Sequence, residues 1–498
     1  MHFPVNIHII DRSFTSPFRE PLAGGDIALE VCPALAKVIF LTSCSAPKAG
    51  RKGLDYDVIV VGAGTTGLVA AKFLAEAGYK TLVVDLKDEK EVGDKVCGDA
   101  ISKEYFEKIP IGYPPQEATE GNIVGAKLYS PDEQTVWTVP GEGYMLNRKK
   151  FGEWLYSLAK EAGAEFSFRT RALGPVVRDG KVVGVTVRRD GKVESLKARL
   201  VIDASGVAYV VRRALPKTWP VAEPLDMKDT AVAYREIRII KEPLKDDDYI
   251  RIYVSQEKAP GGYWWLFPYR GGQKVNLGLG VQGGVGHKDP MWYFHKYLAP
   301  RFPGEVLHAG GGVVPTRRPL DTMVADGFAT AGDAAYQVNP IHGGGIGSGM
   351  LGAYLLAKNA IKALEEEPTA ENLWKYNVDF MDAYGAKQAA LDVFRLFLQS
   401  LSDDEINYGM KNKIIKEEDL LKASLEGELR ISAADKLTRV IKALGKPSLL
   451  AKLKVIAEYM KEIKEMYKNY PQSPAEFEEW RQKVRELFES YKKELSKK

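Results

Sequence analysis

Residues 57–85 carry a succession that leaves few folds open: a strand buried on both faces, a glycine turn, a helix, and a second buried strand ending in an acid. Val58-Ile59-Val60-Val61 is a continuous apolar run, as a parallel-sheet strand covered on both sides requires. Gly62-Ala63-Gly64-Thr65-Thr66-Gly67 follows, then a helical stretch through Ala77 stopped by Gly78, then Thr81 to Val84 and Asp85. Each position has a physical task. Gly62 makes the tight turn, Gly64 lets a pyrophosphate approach the backbone, and Gly67 permits close helix–strand packing. Thr66 lies in the same cofactor-contacting turn. The helix N-terminus favours phosphate charge, and Asp85 can bond a ribose hydroxyl. GxGxxG alone is a weak signal. With a strand before it, a helix after it and an acid about 20 residues on, it specifies a dinucleotide-binding Rossmann unit.

Three later segments point to FAD. Asn147-Arg148-Lys149-Lys150-Phe151, followed by Trp154, Leu155 and Ala159, sets Arg148 at the start of an amphipathic helix, where it can pair with a pyrophosphate. Val201-Ile202-Asp203-Ala204-Ser205-Gly206 reads as a buried strand ending in a small-residue turn, with Asp203 offered to the cofactor. Phe328 to Ala335 reads as a strand delivering Gly332 and Asp333, the acid meeting a ribityl hydroxyl. Asn339-Pro340-Ile341-His342-Gly343-Gly344-Gly345-Ile346-Gly347 then turns backbone N–H groups of Gly344, Gly345 and Ile346 toward a flavin ring at a helix N-terminus. In order and spacing these positions resemble the GxGxxG, DG and GD motifs of the FAD-dependent monooxygenase-like superfamily, over about residues 54 to 365. One departure is Asp203-Ala204, where the family has an Asp-Gly turn. Gly347 to Gly352 also fits GxGxxG but follows a loop, so it is predicted to pack a helix against the flavin domain. No second strand–GxGxxG–helix unit occurs. The electron donor is therefore NAD(P)H docking without its own Rossmann domain, or another reductant such as a ferredoxin.

Composition narrows the class. The 498 residues carry 70 Lys+Arg against 66 Asp+Glu, a net +4, too balanced for a nucleic-acid binder. Three cysteines and six histidines exclude a disulfide framework and a Cys/His zinc module, and no metal is expected. No apolar run reaches the roughly 18–20 residues that span a bilayer. The expected setting is cytoplasmic, and the expected state a monomer or weak oligomer.

Between the flavin segments the sequence is β-rich: Thr230 to Ile240, Tyr249 to Ser255, Gly262 to Phe267 and Lys274 to Val281, with Arg270-Gly271-Gly272-Gln273 as a hairpin turn. The period of two places Tyr263, Trp265 and Phe267 on one face, an aromatic wall beside Pro268. Tyr-x-Trp-x-Phe-Pro followed by Val275-x-x-Gly278 resembles the substrate-domain signature of the geranylgeranyl reductase family. Lys95-Val96-Cys97-Gly98-Asp99-Ala100 is similar to the cysteine-bearing loop of its archaeal members. The resemblance implies an FAD-dependent enzyme that saturates isoprenoid double bonds, notably those of digeranylgeranylglycerophospholipids. It places Cys97 near the flavin as proton donor or positioning group, Gly98 beside the cofactor, and His342 as a tuning or protonating group. The alternatives are a flavin monooxygenase or halogenase of the same fold, and a flavin-binding membrane adaptor without catalysis.

The expected fold is therefore α/β: a Rossmann-like FAD domain (54–225 and 311–365), an inserted antiparallel substrate sheet (226–310) and a helical end (366–498). Residues 1–53, which hold Cys32 and Cys44, read as an extension without a fold of its own, with translation expected to begin near Leu54. In the helical end Leu449, Leu453, Ile456, Met460, Ile463 and Tyr467 form one apolar stripe, and residues 436–468 hold nine Lys/Arg against three Glu. That stripe either packs on the catalytic body or gives peripheral contact with anionic lipid.

Overall fold

The computed structural model describes residues 53–414, 416–419, 427 and 445–496; the expectations for the N-terminal extension and for the basic segment 436–444 lie outside the described residues. The chain opens with β1 (Tyr56–Val61), α1 (Thr65–Glu76) and β2 (Thr81–Val84). The two strands pair in parallel, and residues 57–61 and all of β2 are buried. Burial on both faces is why neither strand alternates apolar with polar residues.

β3 (Ala100–Ser102), α2 (Glu104–Lys108), β4 (Thr119–Tyr129), β5 (Val136–Leu146), α3 (Arg148–Glu161), β6 (Glu165–Ser167), β7 (Arg171–Arg178), β8 (Lys181–Arg189) and β9 (Lys192–Asp203) follow. Then come β10 (Thr230–Ile240), β11 (Tyr249–Tyr253), β12 (Tyr263–Pro268), β13 (Lys274–Gln282), α4 (Pro290–Tyr293), β14 (Gly304–Pro315), β15 (Val324–Ala325) and β16 (Phe328–Thr330). The described chain ends in helices: α5 (Ile346–Ala363), α6 (Ala370–Phe380), α7 (Ala386–Gln399), α8 (Asp403–Lys411), α9 (Pro447–Lys468) and α10 (Phe477–Ser496).

Two sheets organise these elements. The first runs β15-β16-β9-β1-β2-β6, parallel except for β15, with β7 and β8 as an antiparallel meander on β9. The second runs β14-β10-β13-β12-β11-β4-β5-β3 and is antiparallel but for the β11–β4 pair. The domain partition differs from the expectation here. Residues 100–146, read as part of the FAD domain, supply β3, β4 and β5 to the second sheet. The substrate sheet is thus built from two insertions, closed by the parallel contact of β11 with β4, which no local pattern encodes. All four strands expected between residues 230 and 281 are present.

In β12 the period of two sends Trp264 and Leu266 into one core with Leu277, Leu279 and Phe294. Trp265 and Phe267 go to the opposite face with Ile123, Met145 and Ile237. The apolar stripe of α9 is buried throughout and packs on α7. Lys452 and Lys464 of α9 are buried as well, while its exposed positions include Lys454, Lys461 and Lys468 beside Glu458, Glu462 and Glu465. The described part of this segment therefore packs on the body, and its solvent face is close to neutral.

Candidate active site

The loops at the carboxyl ends of the first sheet's strands border one cavity of about 1100 Å³. Gly62 adopts φ 109°, and a Cβ there would lie 2.5 Å from the Ala204 carbonyl. A side chain at Gly67 would collide with the Gly62 carbonyl, so the turn closes only without one. At Gly64 a Cβ would meet no protein atom, and the backbone there borders open space. α1 begins at Gly64 with no side-chain cap and no acid in its first turn, which leaves its N–H groups for an anion. Asp85 accepts the Ala63 N–H at 2.6 Å and the Lys87 N–H at 2.8 Å. It faces the cavity with lone pairs to spare. Arg148, first residue of α3, lines the cavity, and its buried Nε and Nη1 have no partner among the described residues. Orphaned guanidinium donors and an uncapped helix beside a glycine turn fit a pyrophosphate.

The opposite wall carries a second uncapped terminus. α5 starts after Gly345, again without a side-chain cap or an acid in its first turn. Gly344, Gly345 and Ile346 border the cavity beside Asp333, whose carboxylate pairs with Lys95 Nζ at 3.4 Å. His342 opens onto the lumen, yet the protein packed around it disfavours a charged ring. That burial, with the positive charge of Lys387, pushes its pKa down to about 4. The Gly344 N–H donates to His342 Nδ1 at 3.1 Å, so a neutral ring carries its proton on Nε2. Together these features fit the isoalloxazine end of FAD.

Cys97, the one cysteine among the described residues, lines the same cavity. Gly98 lies against the Phe267 ring, 3.4 Å from where a Cβ would sit. The Tyr263 hydroxyl donates to the His342 carbonyl at 2.6 Å, joining the aromatic wall to the flavin loop. Burial, with the nearby Cys97 thiol, raises the Tyr263 pKa, so its hydroxyl stays protonated. Trp265 and Phe267 border the lumen.

Behind this wall lies a polar cluster that sequence reasoning missed. The Cys97 carbonyl accepts from Asn276 Nδ2 at 2.9 Å and Arg235 Nε at 3.2 Å. Asp99, in the left-handed region at φ 66°, accepts from Tyr269 at 2.8 Å and from Asn276 at 2.9 Å. Burial raises the Asp99 pKa, against the opposing charges of Arg148 and Arg235. A buried polar residue within the apolar strand β13 was the available signal.

The rest of the lining is predominantly apolar and forms an apolar arm. It includes Ile250, Ile252 and Val254 on the sheet side and Phe397, Met410 and Leu453 from the C-terminal helices, with Gln256, Arg395, Gln399 and Glu405 among them.

Four expected residues lie off the lumen. Asp203, expected at the cofactor, is fully buried. Its carboxylate accepts the N–H groups of Ser205, Val211 and Arg212 and the Ser205 hydroxyl, between 2.6 and 3.0 Å, so it shapes its own loop. Gly67 and Gly332 provide clearance, Gly332 for Thr66. Pro268 is buried at the end of β12. The other expected residues converge on the one cavity.

Comparison with known proteins identifies the family and the fold. Residues 229–314 match the geranylgeranyl reductase catalytic domain, and residues 57–219 match the FAD dependent oxidoreductase family. The chain is 48% identical over 452 residues to a digeranylgeranylglycerophospholipid reductase of Sulfolobus acidocaldarius, covering 89% of this chain and 100% of that one. It is 34% identical to the protein of the same name in Methanothrix thermoacetophila, over 75% of this chain and 95% of that one. Among solved structures it is similar to a geranylgeranyl bacteriochlorophyll reductase-like protein of Thermoplasma acidophilum. That match has TM-score 0.67 and 26% identity, over 80% of this chain and 99% of that one. A flavin-dependent brominase, at 15% identity and TM-score 0.58 over 80% of this chain and 99% of that one, shares the fold.

Proposed function

The chain belongs to the geranylgeranyl reductase family, and on that premise we propose that it is an FAD-dependent enzyme saturating the double bonds of geranylgeranyl chains, with digeranylgeranylglycerophospholipid as substrate. The observation that carries the reading is a single cavity whose lining combines a dinucleotide cradle, Cys97, the aromatic wall and an apolar arm. A polyisoprenoid chain has the length and apolarity to fill such an arm.

An isolated alkene has no carbonyl to polarise, so the protein's contribution is position, dryness and a proton. FAD held by Arg148, Asp85 and Asp333 would, in its reduced form, supply the hydride equivalent for one alkene carbon. Trp265 and Phe267 hold the double bond flat, and the arm excludes water along the chain. Cys97 Sγ–H donates its proton to the other carbon, leaving a thiolate that solvent reprotonates. His342, neutral above about pH 4, offers no imidazolium proton at neutral pH, which leaves it a positioning role through its bond with Gly344. Arg148, Asp85 and Asp333 hold the cofactor's charged and hydroxyl groups.

Electrons come from an external donor, NAD(P)H or a ferredoxin, since the described residues hold one dinucleotide-binding unit. Lipid access is proposed as a peripheral encounter at the cytoplasmic membrane face; no helix among the described residues is long and apolar enough to cross a membrane. Flotation with anionic and neutral liposomes tests that encounter. The decisive experiment is anaerobic incubation with digeranylgeranylglycerophospholipid and dithionite, read by mass spectrometry. Two hydrogens should be gained per double bond. Turnover that requires oxygen would instead favour a monooxygenase or halogenase, and FAD that no reductant reaches would favour an adaptor.

A further inference from the structure

Asn276 sits in the middle of β13 with no exposed surface, yet it touches both halves of the reaction site. Its Oδ1 accepts the Trp265 indole N–H at 2.9 Å. Its Nδ2 donates to the Cys97 carbonyl and to Asp99 Oδ2, each at 2.9 Å. The amide orientation is fixed by its partners, since an indole N–H can only donate and a peptide carbonyl can only accept.

The geometry follows from strand register. Trp265 on β12 faces Gly278 on β13, and Phe267 faces Asn276. Gly278 leaves the space the indole fills: a Cβ there would come within 2.7 Å of Trp265 Cε2. Lying over the glycine, the ring reaches diagonally along β13, and its N–H meets the amide two residues away. The same amide holds the loop that carries the thiol. Asp99, strained into the left-handed region, is pinned in turn by Tyr269.

We infer that Asn276 is a positioning residue: it locks the Trp265 ring and the Cys97 loop into one unit, so that the wall aligning the double bond and the thiol beside it cannot move independently. The inference rests on the reductase reading above for its kinetic consequence, and on the hydrogen bonds alone for its structural one. An amide suits the post because it accepts from the indole and donates twice at once; a carboxylate of the same shape only accepts.

The test uses FAD-loaded Asn276→Asp, Trp265→Phe and the double variant. Asn276→Asp is expected to keep stoichiometric flavin absorbance and a KM within about twofold, while kcat falls by about tenfold or more. Trp265→Phe removes the indole donor together with the part of the ring that lies over Gly278, keeps an aromatic side chain in the wall, and should lower kcat in the same way. The double variant should be little worse than the poorer single one, as expected when two groups act as one unit. A second readout needs no turnover: iodoacetamide alkylation of Cys97, followed by peptide mass spectrometry, should run severalfold faster in both single variants as the loop loosens. Unchanged kcat and alkylation in Asn276→Asp, or multiplicative losses in the double variant, would overturn the inference. If Asn276→Asp does not fold, Trp265→Phe carries the same two readouts. If the wild type saturates no alkene, the reductase reading fails, and the alkylation rates still decide whether Asn276 fixes the loop.

Discussion

Gly278→Ala places one methyl group where the Trp265 indole now lies. The new Cβ would come 2.6 Å from Arg235 Cβ and 2.7 Å from Trp265 Cε2, and closer still to Trp265 Cζ2, against 3.4–4 Å for ordinary contact. Both contacts must open: β13 and β10 have to part locally at Arg235 Cβ, and the indole has to yield as well, Cε2 by at least about 0.7 Å. Gly278 has an ordinary extended φ, so the methyl group adds no backbone strain and the effect is steric. Overpacking of this kind costs about 1–3 kcal/mol. Misplacing a reaction-site group by ~1 Å costs up to ~100-fold in rate. The expected result is a ten- to hundredfold fall in kcat for anaerobic alkene saturation, a lower urea midpoint, and unchanged FAD content. Gly280→Ala is the matched control on the same face of β13, where the nearest atoms to a new Cβ are 3.9 Å away. It should stay within about 0.5 kcal/mol of the parent or gain slightly in stability. Wild-type turnover in Gly278→Ala, or equal damage from Gly280→Ala, would refute the steric reasoning.

Cys97→Ala should retain FAD and lose most reductase activity, checked by product mass spectrometry; unchanged turnover would remove the thiol from the mechanism. Arg148→Ala removes two orphaned guanidinium donors and should weaken FAD binding by about 10- to 100-fold, since charge-assisted bonds contribute about 1.5–3 kcal/mol; titration of apoprotein with FAD reads this directly. For His342 the folded pKa of about 4 lies below the usual 6.5, so the unfolded chain binds the proton more tightly. Its contribution to stability is therefore complete above about pH 6.5 and is lost as pH falls through about 4. Comparing urea midpoints of the wild type and His342→Gln across that range should show the smaller decline in the variant.

What could be read from sequence was local. Residues 57–85 announce their structure because strand, turn, helix and acid are contiguous, and each glycine answers to neighbours a few residues away. Tyr263, Trp265 and Phe267 could be placed on one face because a strand's period is two whatever it pairs with. The residues that hold the reaction site in register were silent for the opposite reason. Asn276 and Gly278 matter only because β13 lies beside β12 in one register, and Arg235 and Asp99 arrive from β10 and from a loop far away in the chain.

Two further cases separate the levels. Asp203 was visible as an acid at a strand end, but only the folded loop turns its carboxylate onto the N–H groups of Val211 and Arg212 and away from the cavity. The stripe on α9 was visible as amphipathic, but a periodicity of apolar residues states that a face will be buried and not against what; α7 is the answer. By itself the sequence determined the dinucleotide cradle and the aromatic face of β12, each encoded within a few turns of chain, while Cys97 was singled out by the resemblance of residues 95–100 to a family loop. Only the tertiary structure brought residues 100–146 into the substrate sheet, extended the cavity into an apolar arm and joined Trp265 to Cys97 through one amide. Those depend on strand pairing and helix docking across large sequence separations, where the contact forms between two surfaces and neither segment alone specifies its partner.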